Sequence, residues 1–168
     1  MLIMLAISVW LLITSFGFIQ TKRAGAYYVP TKTKVLHMLS SLNPKPGQTL
    51  IDLGSGDGRV LRLAAKEYGV RAIGYEVVLW PYLETTFKDW FFFKKHPNLK
   101  ALVETRKESA YTADLSKADY IFLYTSPVFN EKIAPKLIEE LKKGAKVASL
   151  TFPLPGWKPL QEHHPEGM

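Results

Sequence analysis

From Thr49 to the end of the chain, short apolar runs alternate with longer stretches whose apolar residues recur at helical spacing. Leu50 to Leu53, Arg71 to Glu76, Lys100 to Glu104, Asp119 to Tyr124 and Lys146 to Phe152 read as strands. Between the first two, Arg59 to Tyr68 carries Val60, Leu61, Leu63, Ala64 and Ala65 and stops at Gly69, as a helix packed on a sheet should. Leu79 to Lys95 reads as a second helix, in which Leu79, Leu83, Phe87 and Phe91 recur at i, i+4 spacing and are expected to face the sheet. A third is expected from Pro135 to Lys143, with Pro135 at the first helical position and Gly144 just past the end. A further helix is expected upstream, at Lys34 to Leu42. Strands alternating with helices predict βαβ units, hence an α/β fold with a doubly wound, mostly parallel sheet. Ligands of such sheets lie at the carboxyl ends of the strands, where Asp52, Glu76, Ser109 and Tyr124 fall.

The amino terminus follows a different pattern. Met1 to Ile19 contains no charged residue and is dominated by Leu, Ile, Met, Val, Phe and Trp. At about 1.5 Å per residue, such a run spans roughly the hydrocarbon thickness of a bilayer. It is read as a transmembrane anchor rather than a cleaved signal peptide, because no basic region precedes it and Lys22-Arg23 occupy the place of a small-residue cleavage site. Lys22, Arg23, Lys32 and Lys34 follow it, which by the positive-inside rule puts the remainder of the chain on the cytoplasmic side. The chain thus divides into an anchor (1–20), a linker with one helix (21–45), a ligand-binding domain (46–160) and a polar tail (161–168).

At 168 residues the chain suffices for one domain with a real core. Cysteine is absent, which excludes disulfides and thiolate metal sites; His37 and His96 stand alone and His163-His164 lie in the tail, so no metal site is expected. The net charge of +7 is dispersed, with several cations next to the apolar run, so attraction to anionic lipid is the expected partner chemistry and nucleic acid is not. Trp90-Phe91-Phe92-Phe93-Lys94-Lys95 admits two readings, core packing alone or a surplus of aromatics that dips into the headgroup layer or meets a membrane-embedded partner.

The most informative stretch is Leu50-Ile-Asp-Leu-Gly-Ser-Gly-Asp-Gly-Arg59. Gly54, Gly56 and Gly58 free the backbone to turn tightly and approach a ligand, and Asp52 brings a carboxylate to the same crevice. Arg59 stands where a G-x-G-x-x-G dinucleotide fingerprint has its last glycine, and no Lys-Ser or Lys-Thr follows as in a P-loop. An acidic residue before alternating glycines suits a cationic ligand better than a pyrophosphate. Glu76, ending the second strand, is placed to take ribose hydroxyls.

These residues resemble the S-adenosylmethionine site of class I, Rossmann-like methyltransferases. Three further segments narrow the likeness: Tyr27-Tyr28-Val29-Pro30-Thr31 before the first strand, Phe122-Leu123-Tyr124 after the fourth, and Phe152-Pro153-Leu154-Pro155-Gly156-Trp157 after the fifth. Together with the apolar amino terminus they resemble the small membrane-anchored methyltransferases related to the mitochondrial enzymes that methylate lysine on the ATP synthase c-subunit and the adenine nucleotide translocase. The resemblance implies S-adenosyl-L-methionine as cofactor, held by Asp52, Gly54, Ser55, Gly56, Asp57 and Gly58 around its methionine part and by Glu76 and Val77 around its ribose side, with Thr31 in an element that folds over it. Ser109 stands where such enzymes have Asp or Asn near the adenine. The family's sheet continues through a final antiparallel pair, whereas this chain stops at Met168, which implies a reduced domain or an incomplete sequence.

The implied activity is transfer of a methyl group to lysine on a membrane protein, with Tyr28 and Tyr124 as the acceptor channel wall. Aromatic and carbonyl groups around a desolvated channel lower an amine's pKa and align it. A lipid-amine methyltransferase and a non-catalytic, cofactor-binding membrane protein are the alternatives. Because Gln20 to Ala26 reaches at most about 3.5 Å per residue, membrane-proximal acceptors are expected.

Overall fold

The computed structural model describes residues 33–162. The expected membrane span at Met1 to Ile19, together with Tyr28, Thr31 and the tail histidines, lies outside them. Nine regular elements follow in order: α1 (Thr33–Leu42), β1 (Thr49–Leu53), α2 (Arg59–Tyr68), β2 (Arg71–Tyr75), α3 (Leu79–Lys95), β3 (Val103–Arg106), β4 (Tyr120–Leu123), α4 (Pro127–Glu140) and β5 (Lys146–Ser149). The five strands form one sheet in the order β3-β2-β1-β4-β5, and every pairing is parallel. Among the described residues no helix is long and apolar enough to cross a membrane.

Strand alternation sorts the core into two layers. Leu50, Ala72, Tyr120, Phe122 and Ala148 point to the face covered by α1 and α2, where Leu39, Leu42, Val60, Leu61 and Ala64 pack on them. Ile51, Leu53, Ile73, Tyr75, Ile121 and Leu123 point to the other face, closed by Phe129, Ile133, Ala134 and Leu137 of α4 and by Ala110, Ala113, Leu115 and Ala118 of the β3–β4 loop. Both faces are therefore dry, as a parallel sheet requires.

Three expectations need correction. The helix before β5 begins eight residues earlier than its Pro135 suggests. Ser126 caps it, its hydroxyl accepting the Phe129 N–H at 3.2 Å, and Pro127 takes the first turn. Pro135 instead sits inside α4, where it removes one helical hydrogen bond; burial of Ile133, Ala134 and Leu137 on the sheet outweighs that loss. The helix ends at Glu140, and Gly144, at φ 87°, belongs to the turn into β5. The third strand likewise starts at Val103, because Pro97–Leu102 form a 3-10 turn.

The other correction concerns α3. Leu79, Leu83, Phe87 and Phe91 do not face the sheet but are exposed, while Thr85 is fully buried. The helix flanks α2 and the glycine turn and meets them through polar contacts, Thr85, Lys88 and Asp89 with Gly56, Asp57 and Arg62, while Phe92 and Phe93 near its end are half-buried.

Candidate functional site

Because all strands run the same way, their carboxyl ends open on one edge, and the chain leaving β1 turns back over the end of β2. Gly54 and Ser55 both donate their N–H to the Tyr75 carbonyl, at 2.9 and 3.1 Å. The turn is possible because Gly54, Gly56 and Gly58 take φ values of 88°, 55° and 72°, which other L-residues rarely adopt. Gly58 has a second constraint, since a Cβ there would lie 2.7 Å from Cγ2 of Thr85.

Glu76 joins this turn to the end of β2. Its Oε2 accepts the Gly56 N–H at 2.9 Å and its Oε1 the Val78 N–H at 2.7 Å, while its own N–H donates to the Arg106 carbonyl at 3.0 Å. Burial raises its pKa, and the backbone donors at Val78, Gly56 and Val77 work against that rise. Val77 itself is exposed on the rim.

Asp52 is 2% exposed, and among the described residues nothing donates a hydrogen bond to its carboxylate. Burial first, then the charges of Glu76 and Asp57, push its pKa up to about 8. Removing a carboxylate from water without a donor or a counter-ion is costly, and among the described residues no cation offsets that cost; a positively charged ligand would.

Asp57 has the opposite balance. Burial alone raises its pKa, but Arg59 and Lys88 overcome this and hold the carboxyl well below the ordinary range. Arg59 Nε and Nη2 reach it at 2.9 and 2.8 Å, and Lys88 Nζ at 2.6 Å. Arg62 extends the brace, donating to the Asp57 carbonyl at 2.8 Å and to Asp89 at 2.6 Å. Thr85 completes it, with Oγ1 donating to the Gly56 carbonyl at 2.6 Å.

Ser55 turns its side chain inward. A Cβ on Gly74 would meet Ser55 Oγ and Leu61 Cδ1 at 2.6 Å each, so Gly74 is what lets the turn and α2 close on β2. Ser109 lies after β3 and caps the short 3-10 turn Ala110–Thr112, its Oγ accepting the Tyr111 N–H at 3.3 Å. Tyr124, half-buried after β4, packs on the Leu50–Phe122 cluster on the side of the sheet that carries Asp52.

The structure thus unites Asp52, the glycine turn, Glu76 and Val77 in one wall, with Ser109 and Tyr124 farther along the same edge. Two sets of supporting residues are not legible in the sequence pattern. One is Thr85, Lys88 and Asp89, whose signal is a polar cluster inside an otherwise apolar helix. The other is Asn130, fully buried in α4. Its Oδ1 accepts the Thr125 hydroxyl at 2.6 Å, and its Nδ2 donates to Ser149 Oγ and to the Phe152 and Pro153 carbonyls at 3.1, 2.9 and 3.3 Å. It ties the segment after β4 to the Phe-Pro segment after β5. A single Asn in a helical pattern carries no signal of this.

Comparison with known proteins agrees with this architecture. The lysine N-methyltransferase of the ATP synthase c-subunit from Xenopus laevis is 34% identical over 138 residues, covering 79% of this chain and 56% of that protein. Adenine nucleotide translocase lysine N-methyltransferase of Mus musculus is 31% identical over 156 residues, covering 91% and 65%. The chain therefore spans only 56% and 65% of the length of these two relatives. Among solved structures, an RNA methyltransferase from Salinibacter ruber in complex with S-adenosyl-L-homocysteine is 34% identical, with a TM-score of 0.74 over 83% of this chain and 88% of that one. A family profile matches residues 52–161, from the carboxylate of β1 to beyond the Phe-Pro segment, and by that match the chain belongs to the ANTKMT methyltransferase domain family.

Proposed function

We propose that this protein is an S-adenosylmethionine-dependent methyltransferase that modifies lysine on a membrane-associated protein. The observation that supports it most is the charge balance of the crevice. Asp52 is buried beside Glu76 and Asp57, without a hydrogen-bond donor among the described residues, at the rim of a turn built from positive-φ glycines. A ligand that is cationic at its amino and sulfonium groups fits that deficit, and a pyrophosphate does not.

S-adenosylmethionine supplies a methyl group already activated on sulfur, so transfer to an amine depends on alignment more than on acid–base assistance. Asp52 and the backbone of Gly54 to Gly58 would hold its methionine part, Glu76 and Val77 the ribose side, and Ser109 the adenine side. Arg59, Lys88 and Thr85 keep the turn in shape without spending the Asp52 carboxylate, while Glu76 also braces it by accepting the Gly56 N–H. The acceptor lysine must arrive neutral; Tyr124, and Tyr28 outside the described residues, are proposed to wall a channel that excludes water from it.

Lysine as acceptor rests on the two eukaryotic relatives, whose names specify lysine on the ATP synthase c-subunit and on a translocase. The Met1–Ile19 span, with the domain on the cytoplasmic side, is part of the same proposal. Its tests are resistance to alkaline carbonate extraction and protection of domain lysines from outside reagents in intact cells. A second reading, an RNA acceptor, draws on the Salinibacter ruber neighbour. Incubating membranes and soluble extract with methyl-labelled S-adenosylmethionine separates them. Label in lysine of an integral membrane protein, reduced on removing Met1 to Gln20, supports the proposal; label chiefly in RNA, soluble protein or lipid overturns it.

A further inference from the structure

Helix α3 is inside out. Its one fully buried residue is Thr85 and its half-buried ones mix Lys88 and Asp89 with Tyr82, Phe92 and Phe93, whereas Trp80, Leu83, Phe87 and Trp90, in steps of three and four residues, form with Phe91 one outward stripe with exposures of 59, 48, 64, 53 and 47%. The stripe is organised rather than scattered: Phe91 stacks edge-on against both Phe87 and Trp90, with ring centroids 4.9 and 4.6 Å apart. Lys94 lies over the Trp90 ring, its Nζ 3.6 Å from the centroid, and Lys95 follows it. The acids of α3 are turned to other partners, Glu84 bridging Lys88 at 2.7 Å and Asp89 bridging Arg62 at 2.6 Å. The exposed face therefore combines tryptophan, phenylalanine and leucine with cations and no unpaired carboxylate.

We propose that this face of α3 lies on an anionic lipid bilayer, with the aromatic rings at the headgroup–acyl boundary and Lys94 and Lys95 at the level of the phosphates. Lysine reaching from an apolar stripe to charged headgroups, and ring-edged amphipathic residues between, suit that interface. A second copy of this chain suits it less, because pairing two such faces brings like charges together on a protein of net charge +7. The uncharged run Met1 to Ile19 supplies the same bilayer, so the inference rests partly on reading that run as an anchor. Since α3 starts directly after Glu76-Val77-Val78, the arrangement sets the carboxyl edge of the sheet beside the membrane surface.

The full chain contains no cysteine, which permits a direct test. Phe87→Cys and, as a control on exposed α4, Glu139→Cys are each coupled to a nitroxide and mixed with phosphatidylcholine vesicles containing phosphatidylglycerol. Flotation with the vesicles reports the anchor, and electron-spin relaxation by oxygen and by a water-soluble nickel chelate reports the face. The expected result is oxygen exceeding the chelate at position 87 and the reverse at position 139. Flotation with position 87 as open to the chelate as position 139 would overturn the inference while leaving the anchor standing. Shielding of position 87 from both reagents would mean a protein cover, a second copy or this chain's own amino terminus, and would also overturn it. Failure to float would remove the inference and the anchor together.

Discussion

The Thr85 hydroxyl donates to the Gly56 carbonyl at 2.6 Å, and its methyl occupies the space that a side chain at Gly58 would need. One residue of α3 thus holds the turn by a hydrogen bond and also excludes any Cβ beside it. Gly58→Ala should lose about 1–2 kcal/mol from its positive φ alone, and more from the contact with Thr85. Thr85→Ser keeps the hydroxyl and removes the methyl, so the double variant should be less destabilised than the sum of the two, by about 0.5 kcal/mol or more. Strictly additive losses in urea denaturation would show that the contact is not what restricts position 58.

Asp52 makes stability and ligand binding depend on pH. Its folded pKa is raised from 3.8 to about 8, so the folded state holds this proton more tightly than the unfolded one. The contribution of the neutral carboxyl is fully present below the unfolded value and is lost as pH rises through about 8. Asp52→Asn cannot ionise, so without ligand it should gain on the wild type as the pH is raised from about 5 to about 9. Binding of cationic S-adenosylmethionine near neutral pH should release a proton in the wild type and not in Asp52→Asn, read by calorimetry in buffers of different ionisation enthalpy. Parallel stability curves together with equal proton release would remove Asp52 from this role.

Glu76 serves two ends, and they separate experimentally. Glu76→Ala should weaken S-adenosylmethionine binding by about 1.5–3 kcal/mol, the scale of a lost hydrogen bond to a charged group. It also strands the Gly56 and Val78 N–H groups, so thermal stability should fall as well. Glu76→Gln retains acceptor capacity for part of that brace and should recover more of the stability than of the affinity. If calorimetry found affinity unchanged in both variants, Glu76 would be a structural residue alone.

Asn130→Leu should be costly for a reason unrelated to volume. The buried Thr125 hydroxyl loses its acceptor, and the partly exposed Phe152 and Pro153 carbonyls each lose a donor, although the Phe152 carbonyl keeps the Ser149 hydroxyl. A loss of about 2–4 kcal/mol is expected, as a lowered urea midpoint at constant slope. A loss below about 1 kcal/mol would mean that these groups find other partners.

Much of this molecule is decided by local pattern. Alternation of apolar runs and amphipathic stretches specifies the strand–helix order, since a parallel sheet needs a crossover between strands and both faces covered. The glycine turn and the two carboxylates at strand ends are legible for the same reason, because a backbone that takes positive φ needs glycine there. Uncharged Met1 to Ile19 is equally a property of sequence. Tertiary structure decided what pattern alone leaves ambiguous. A helical stripe of Leu and Phe on α3 has the same period whether it faces a sheet or solvent, and only the polar anchorage of Thr85, Lys88 and Asp89 on the turn settles which. Pro127 and Pro135 are both competent to start a helix; burial of Phe129 and Asn130 ahead of Pro135 selects the first. The pKa of Asp52 depends on three carboxylates gathered from separate strands and turns, and the Asn130 links depend on two loops that meet only when β4 and β5 pair. Such contacts arise from long-range packing, and no local window of the chain encodes them.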